Sequence, residues 1–94
     1  MGTFEITYRP DVRKDIVSIP IQDQLRIKIA IETKLNADPF LYGIPLHGNL
    51  KGFHKLRVCQ YRIVFEVQEQ IIEIFCIGLR KNVYDKMGTR VTKE

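Results

Sequence analysis

Three short apolar runs in the second half of the chain constrain its fold more than any other feature. They cover residues 53–58, 61–67 and 71–79 and are rich in β-branched and aromatic residues. Only Cys59-Gln60 separates the first two runs, and only residues 68–70 separate the last two. Turns this short indicate consecutive antiparallel strands. The third run is apolar on both faces, so we place it centrally in the sheet.

The first half of the chain predicts a strand followed by two helices. Residues 4–8 alternate between apolar and polar side chains, as a strand does. Residues 12–19 have apolar residues at helical spacing, and Pro20 ends that helix. Residues 21–37 fit a second helix, with one broad apolar face formed by two neighbouring stripes. An alternative for 25–32 is a strand, because apolar residues there recur at every second position.

We therefore predict a single α+β domain over residues 1–94. Its order is a strand, a two-helix hairpin and a three-stranded antiparallel meander. The helices pack on one face of a curled four-stranded sheet. Residues 36–52 form a long loop, and one helical turn near 84–87 precedes a frayed tail at 88–94.

Composition excludes several classes of protein. No run approaches the roughly 18 apolar residues that cross a bilayer, and the N-terminus has no apolar export segment. The two cysteines, Cys59 and Cys76, have no zinc-binding spacing. We expect a cytoplasmic protein with reduced thiols, no metal, no cofactor and no contact with membranes.

The positive charge is concentrated in the second half of the chain. Residues 1–46 carry six Lys or Arg and six Asp or Glu, whereas residues 47–94 carry nine and five. This excess predicts a basic face for an acidic partner, or else an ordinary solvated basic surface.

The first hairpin places two arginines opposite each other. A two-residue turn at Cys59-Gln60 pairs Arg57 with Arg62 and puts Lys55 on the same face. Opposed like charges are destabilising, and an anion such as an RNA phosphate between them relieves that cost. Alternatively, the arginines splay into solvent or pair with Glu66. Strict alternation puts Arg80 on the other face unless the strand is bulged, with Gly78 as a candidate position.

Three strings carry a resemblance to a known family. They are Leu-His-Gly at 46–48, Lys-Leu-Arg-Val-x-x-Tyr-Arg-Ile-Val-Phe at 55–65, and Ile-Gly-Leu-Arg-Lys-Asn-Val-Tyr at 77–84. Together with the element order, they resemble the RelE/ParE superfamily of toxins, and the RelE-like branch in particular. The resemblance implies a fold like that of small microbial ribonucleases. It also implies cleavage of mRNA in the ribosomal A site, and neutralisation by an acidic, RelB-like antitoxin.

The same resemblance implies roles for individual residues. Arg62 stabilises the scissile phosphate, and Arg80 serves the leaving oxygen or the phosphate charge. Lys55 helps to activate the attacking 2′-hydroxyl, and Tyr84 stacks on a base or touches that hydroxyl. The further contacts with RNA are assigned to three more basic residues: Arg57, Lys51 and Lys81.

The sequence departs from the family pattern at two positions. Phe53 stands where some members have a second active-site lysine, so the identity of the general base is open. Cys59 stands where many relatives have glycine. A ParE-like inhibitor of DNA gyrase and a non-catalytic or inactive binding module are the alternative functions. A ribonuclease dyad of His47 and His54 is disfavoured, because alternation points His54 away from the face of Lys55.

Overall fold

The chain folds around one five-stranded sheet, and the computed structural model describes residues 4–92. In chain order the elements are β1 (Glu5–Tyr8), α1 (Val12–Val17), α2 (Ile21–Ala30), a π-helical turn (Ile31–Leu35), α3 (Pro39–Tyr42), β2 (Ile44–Pro45), a 3-10 turn (Gly48–Leu50), β3 (His54–Val58), β4 (Tyr61–Gln68), β5 (Ile71–Leu79) and α4 (Val83–Thr92).

The strand order is β1-β5-β4-β3-β2. The predicted meander is confirmed, since β3, β4 and β5 pair antiparallel in sequence. β1 lies parallel to β5, which makes the sheet mixed. The α+β class is therefore confirmed, but the sheet has five strands where four were expected. The fifth is β2, whose two residues pair with His54 and Lys55 and are too few to show a period in the sequence.

The predicted hairpin of α1 and α2 is present, but it buries only part of its apolar surface. Of the two stripes on the second helix, the one formed by Ile27, Ile31 and Leu35 is buried against the sheet. The other stripe is exposed, with Ile21 at 72%, Leu25 at 55% and Ile29 at 59%. The sheet therefore buries only one of the two stripes of the predicted apolar face, because a single sheet surface covers only one side of a helix.

A bulge interrupts the regular alternation of β5. Phe65 pairs with Ile74 and Val64 pairs with Cys76, so Phe75 is an extra residue without a partner in β4. The extra residue reverses which positions face each layer. Ile74 and Ile77 therefore both contact the core beneath α1 and α2.

A second core lies on the opposite face of the sheet, under α4. It contains Val64, Phe75, Cys76, Val83 and Met87. The prediction that all helices pack on one face of the sheet was therefore wrong. The prediction of a frayed tail was also wrong over residues 88–92, because α4 continues through them. Lys93 and Glu94 lie outside the described residues. Within 4–92, no helix is long and apolar enough to cross a membrane.

Candidate functional site

The hairpin of β3 and β4 has the predicted register. Val58 pairs with Tyr61, and Arg57 lies opposite Arg62. The connecting turn holds Cys59 at a φ of 55°, a left-handed conformation that a residue with a Cβ rarely adopts. Such turns suit the twist of a two-residue hairpin. The two-residue turn that sets this register therefore holds Cys59 in a strained backbone conformation.

Lys55 and Tyr84 meet above the sheet face that α4 covers. Lys55 pairs with Val64 across the strands, so both side chains leave the sheet on the same face. Val64 packs with Val83 of α4, which brings the neighbouring Tyr84 to the lysine. Lys55 Nζ donates to Tyr84 Oη at 3.1 Å and lies 5.7 Å from the centroid of its ring. Two residues far apart in the sequence therefore form one polar unit.

Arg62 is placed on the same face but is buried. Its side chain is only 6% exposed. Its Nη1 donates to the carbonyl oxygens of Cys59 at 3.0 Å and Tyr61 at 2.8 Å. Arg57, opposite, is exposed. Carbonyl dipoles therefore offset the charge of Arg62, whereas the side chain of Arg57 is open to solvent.

Arg80 lies in the turn between β5 and α4, beside Tyr84. The bulge at Phe75 returns Gly78 to the position opposite Arg62, so the register shift occurs before Gly78 and not at it. The backbone N–H of Arg80 donates to the carbonyl of Gln60 at 3.0 Å. An open groove of about 510 Å³ is lined by Gln60, Leu79, Arg80, Lys81 and Tyr84.

The structure brings four of the predicted residues together, namely Lys55, Tyr84, Arg80 and Lys81. Lys55 contacts Tyr84 directly, and Tyr84 shares the groove with Arg80 and Lys81. Lys51 is exposed in the turn before β3. The surface that carries Lys55, Tyr84, Arg80 and Lys81, together with Arg57 two residues along β3 from Lys55, is here called the basic face.

His54 lies in the other layer, as alternation predicted. It stacks on Phe65 with 5.6 Å between ring centroids and meets the edge of Phe40 at 5.8 Å. Burial lowers the pKa of His54 from its ordinary value of 6.5. His47 is exposed in the loop before the 3-10 turn.

Sequence reasoning missed a buried ion cluster around Asp15. Asp15 is 3% exposed, and its carboxylate accepts two bonds from Arg90, each of 2.7 Å. Lys86 Nζ lies 3.3 Å away. A signal was present in the sequence: Asp15 is three residues after Val12 and four before Ile19, on the apolar side of α1.

Among the residues that the structure describes, no three His, Cys, Asp or Glu side chains are grouped so that they could hold a metal ion. The side chains that form the basic face carry ammonium, guanidinium and phenol groups.

No protein-family model matches this chain. No curated protein sequence matches it either. Solved structures do match. The toxin–antitoxin complex RelBE2 from Mycobacterium tuberculosis superposes with a TM-score of 0.78 at 19% identity, over 83% of this chain and 99% of that one. The RelB–RelE complex from Methanococcus jannaschii gives 0.67 at 26% identity, over 85% and 96%.

A histidine-to-glutamine mutant of YafQ from E. coli also matches, with a TM-score of 0.66 at 19% identity, over 83% of this chain and 94% of that one. Nearly the whole length of each of these toxins is covered. The chain has the RelE/ParE toxin fold. In this RelE/ParE fold, Lys55, Arg62 and Gly78 stand on the central strands, and Tyr84 stands on the C-terminal helix that covers them.

Proposed function

We propose that this chain is the toxin of a toxin–antitoxin pair and that it cleaves mRNA on the ribosome. The RelE/ParE fold and the toxin–antitoxin complexes among its structural neighbours support the first part. The observation that carries the second part is the hydrogen bond from Lys55 to Tyr84 beside exposed basic residues.

The proposed reaction uses the nucleophile that RNA itself supplies, the 2′-hydroxyl. Because Tyr84 Oη accepts a hydrogen bond from Lys55, its own O–H hydrogen points elsewhere. Tyr84 is 36% exposed, so that hydrogen can reach a substrate oxygen in the groove. In this proposal Lys55 orients the phenol. The 2′-oxygen bonds to phosphorus and gives up its proton to water, the bond from phosphorus to the 5′-oxygen breaks, and Tyr84 donates the proton that the 5′-oxygen takes as it leaves.

Charge stabilisation is assigned to the arginines. Arg80 neutralises the charge that develops on the phosphate or on the leaving oxygen. Both hydrogen bonds of Arg62 start from Nη1, so we assign its Nη2 and Nε to the scissile phosphate. Arg57, Lys51 and Lys81 are assigned to neighbouring phosphates.

Lysine, arginine and tyrosine are weak general acids and bases near neutral pH, because their reference pKa values lie well above 7. A ribonuclease built from them depends on accurate placement of its substrate. The ribosome supplies that placement in this proposal, and free RNA is a poor substrate. An acidic, RelB-like antitoxin is the proposed inhibitor, binding the basic face in the cytoplasm.

Expression in bacteria tests the proposal. The wild-type chain should arrest growth and produce new 5′ ends within translated mRNAs, and Arg80→Ala should abolish both effects. Arg13→Ala is the matched control, since it removes an exposed arginine of α1 and should leave both effects intact. Full mRNA cleavage by a folded Arg80→Ala chain contradicts the assignment. Intact mRNA with accumulating gyrase–DNA breaks supports a ParE-like function instead.

One observation favours a second candidate, a binding module without catalysis. Arg62 is 6% exposed and is held by two carbonyl oxygens, as expected of an arginine with a purely structural role. In that case the wild-type chain binds RNA or the antitoxin but leaves translated mRNA intact.

A further inference from the structure

The ion cluster around Asp15 lies at the edge of β5, where the sheet loses a strand. β1 pairs with β5 only as far as Ile74. Beyond that point, the backbone N–H of Ile77 donates to Asp15 Oδ2 at 3.0 Å. The carbonyl of Phe75 accepts from Arg90 Nη1 at 2.8 Å. The Asp15–Arg90 pair thus supplies hydrogen-bond partners to backbone groups of β5 at positions that β1 does not reach.

The same cluster fixes one side of α4. Lys86 and Arg90 both belong to α4 and both contact Asp15 of α1. A helix advances about 100° per residue. Lys86 and Arg90 therefore lie on one flank of the buried stripe formed by Val83 and Met87, and Tyr84 lies on the other flank.

Two polar contacts on opposite flanks of α4 determine how the helix is rotated about its own axis. One joins Arg90 to Asp15, and the other joins Tyr84 to Lys55. Apolar contacts at Val83 and Met87 attach the helix, but they are not directional. The bidentate bond from Arg90 to Asp15 is directional. Rotation that breaks this bond also moves the phenol of Tyr84 relative to Lys55.

We propose that Asp15 is a positioning residue: by holding Arg90 and Lys86 it sets the rotation of α4 and keeps Tyr84 in contact with Lys55. The consequence for cleavage rests on the proposed function, whereas the consequence for the Lys55–Tyr84 contact does not. A buried ion pair is weak evidence for stability alone, because apolar residues often replace such pairs without loss. Directional placement is a role that apolar residues cannot fill.

Asp15→Asn tests this proposal, because asparagine keeps the shape of the side chain and removes its charge. Asp11→Asn is the matched control. Asp11 also faces Arg90, with its Oδ2 3.8 Å from Nε, but its side chain is 34% exposed. The first readout is the nuclear Overhauser contact between the Tyr84 ring and the Lys55 side chain. It should be weakened in Asp15→Asn and unchanged in Asp11→Asn.

The second readout is a double-mutant cycle on mRNA cleavage. Asp15→Asn should slow cleavage roughly 10- to 100-fold, as expected when a reacting group is displaced by about 1 Å. It should have no further effect in a Tyr84→Phe background, since Asp15 acts through Tyr84. An equal loss in both backgrounds indicates a merely structural role and overturns the proposal.

Failure of the proposed function is distinguishable from failure of this inference. If the wild-type chain does not cleave mRNA, the Overhauser contact still decides whether Asp15 positions Tyr84. If Asp15→Asn does not fold, Arg90→Lys decides instead, because lysine keeps the charge beside Asp15 but cannot make the bidentate bond. A weakened Lys55–Tyr84 contact in Arg90→Lys supports the proposal, and an unchanged contact overturns it.

Discussion

Lys55 Nζ donates a hydrogen bond to Tyr84 Oη at 3.1 Å, and this bond joins a sheet strand to the C-terminal helix. The ammonium also lies 5.7 Å from the centre of the phenol ring. The pair combines a fixed positive charge with a phenol that is partly open to solvent. It is the centre of the proposed active site.

Removing the phenolic oxygen should disable cleavage without disturbing the fold. Tyr84→Phe loses the O–H that is assigned to the substrate, so its single-turnover cleavage rate should fall roughly 100-fold, a typical effect of losing a proton-transfer group. Tyr42→Phe is the control, because Tyr42 is a similarly exposed tyrosine at 43% outside the basic face. Equal rates for the two variants would remove Tyr84 from the mechanism.

Arg62 should matter for stability as well as for cleavage. Arg62→Ala removes the donor to the buried carbonyl of Tyr61 and to the carbonyl of Cys59, so the free energy of unfolding should fall by roughly 1–3 kcal/mol. Arg57→Ala, at the exposed arginine across the strands, should leave it nearly unchanged. Urea denaturation measures the free energy of unfolding of both variants. Similar losses in the two would contradict the hydrogen bonds from Arg62 Nη1.

Asp15 should make the protein sensitive to acid. Burial alone would raise the pKa of Asp15, but hydrogen bonds from Arg90 and from the N–H of Ile77, with the nearby charges, lower it below its ordinary value of 3.8. Because the pKa is lower in the folded chain, this contribution to stability is present above about pH 4. It is lost as the pH falls through the folded pKa.

Asp15→Asn should therefore lose roughly 3–5 kcal/mol of stability near neutral pH, as expected when a buried ion pair loses one partner. The variant should also show a shallower loss of stability below pH 4 than the wild-type chain. Chemical denaturation at several pH values measures both effects. Parallel stability curves for the two chains would show that Asp15 is not the titrating group.

His54 should add a second, milder pH dependence. Burial lowers its pKa from 6.5, so the folded chain binds a proton less readily than the unfolded chain does. The contribution of neutral His54 to the free energy of unfolding is therefore complete above pH 6.5. It is lost as the pH falls from 6.5 to the lowered pKa of His54 in the folded chain. The ring proton resonances of His54 should titrate below pH 6.5, and His54→Gln should flatten the stability profile in this window.

The two cysteines should react at very different rates. Burial, followed by the nearby charge of Asp15, raises the pKa of Cys76 to about 12, and its thiol lies in the core beneath α4. Cys59 is exposed. Iodoacetamide at pH 8 should label only Cys59 in the native protein and both thiols in denaturant. Native labelling of Cys59→Ser would contradict the packing of α4.

The hairpin of β3 and β4 and the groups on its face were predictable from the sequence. A two-residue turn and the alternation of Leu56 with charged neighbours fix the register, and they place Lys55 opposite Val64. The fold class followed from the same short turns. Apart from Lys51, which lies in the turn before β3, the residues proposed for the site lie on that hairpin or just beyond β5.

The remaining features depend on tertiary contacts that no local pattern encodes. The bulge at Phe75 depends on how β5 serves two cores at once. The burial of Arg62 depends on carbonyl groups of its own turn. The continuation of α4 through Gly88 depends on Arg90 reaching Asp15 across the sheet edge, a contact that outweighs the low helix propensity of glycine.

Ribosome-dependent cleavage is tested by comparing one mRNA in two states, bound in the A site of a programmed ribosome and free in solution. The single-turnover cleavage rate is measured with the purified wild-type chain and with Tyr84→Phe. The proposed mechanism predicts cleavage of the ribosome-bound mRNA by the wild-type chain, little cleavage of the free RNA, and a roughly 100-fold lower rate for Tyr84→Phe. Intact ribosome-bound mRNA, or equal rates for the wild-type chain and Tyr84→Phe, would contradict it.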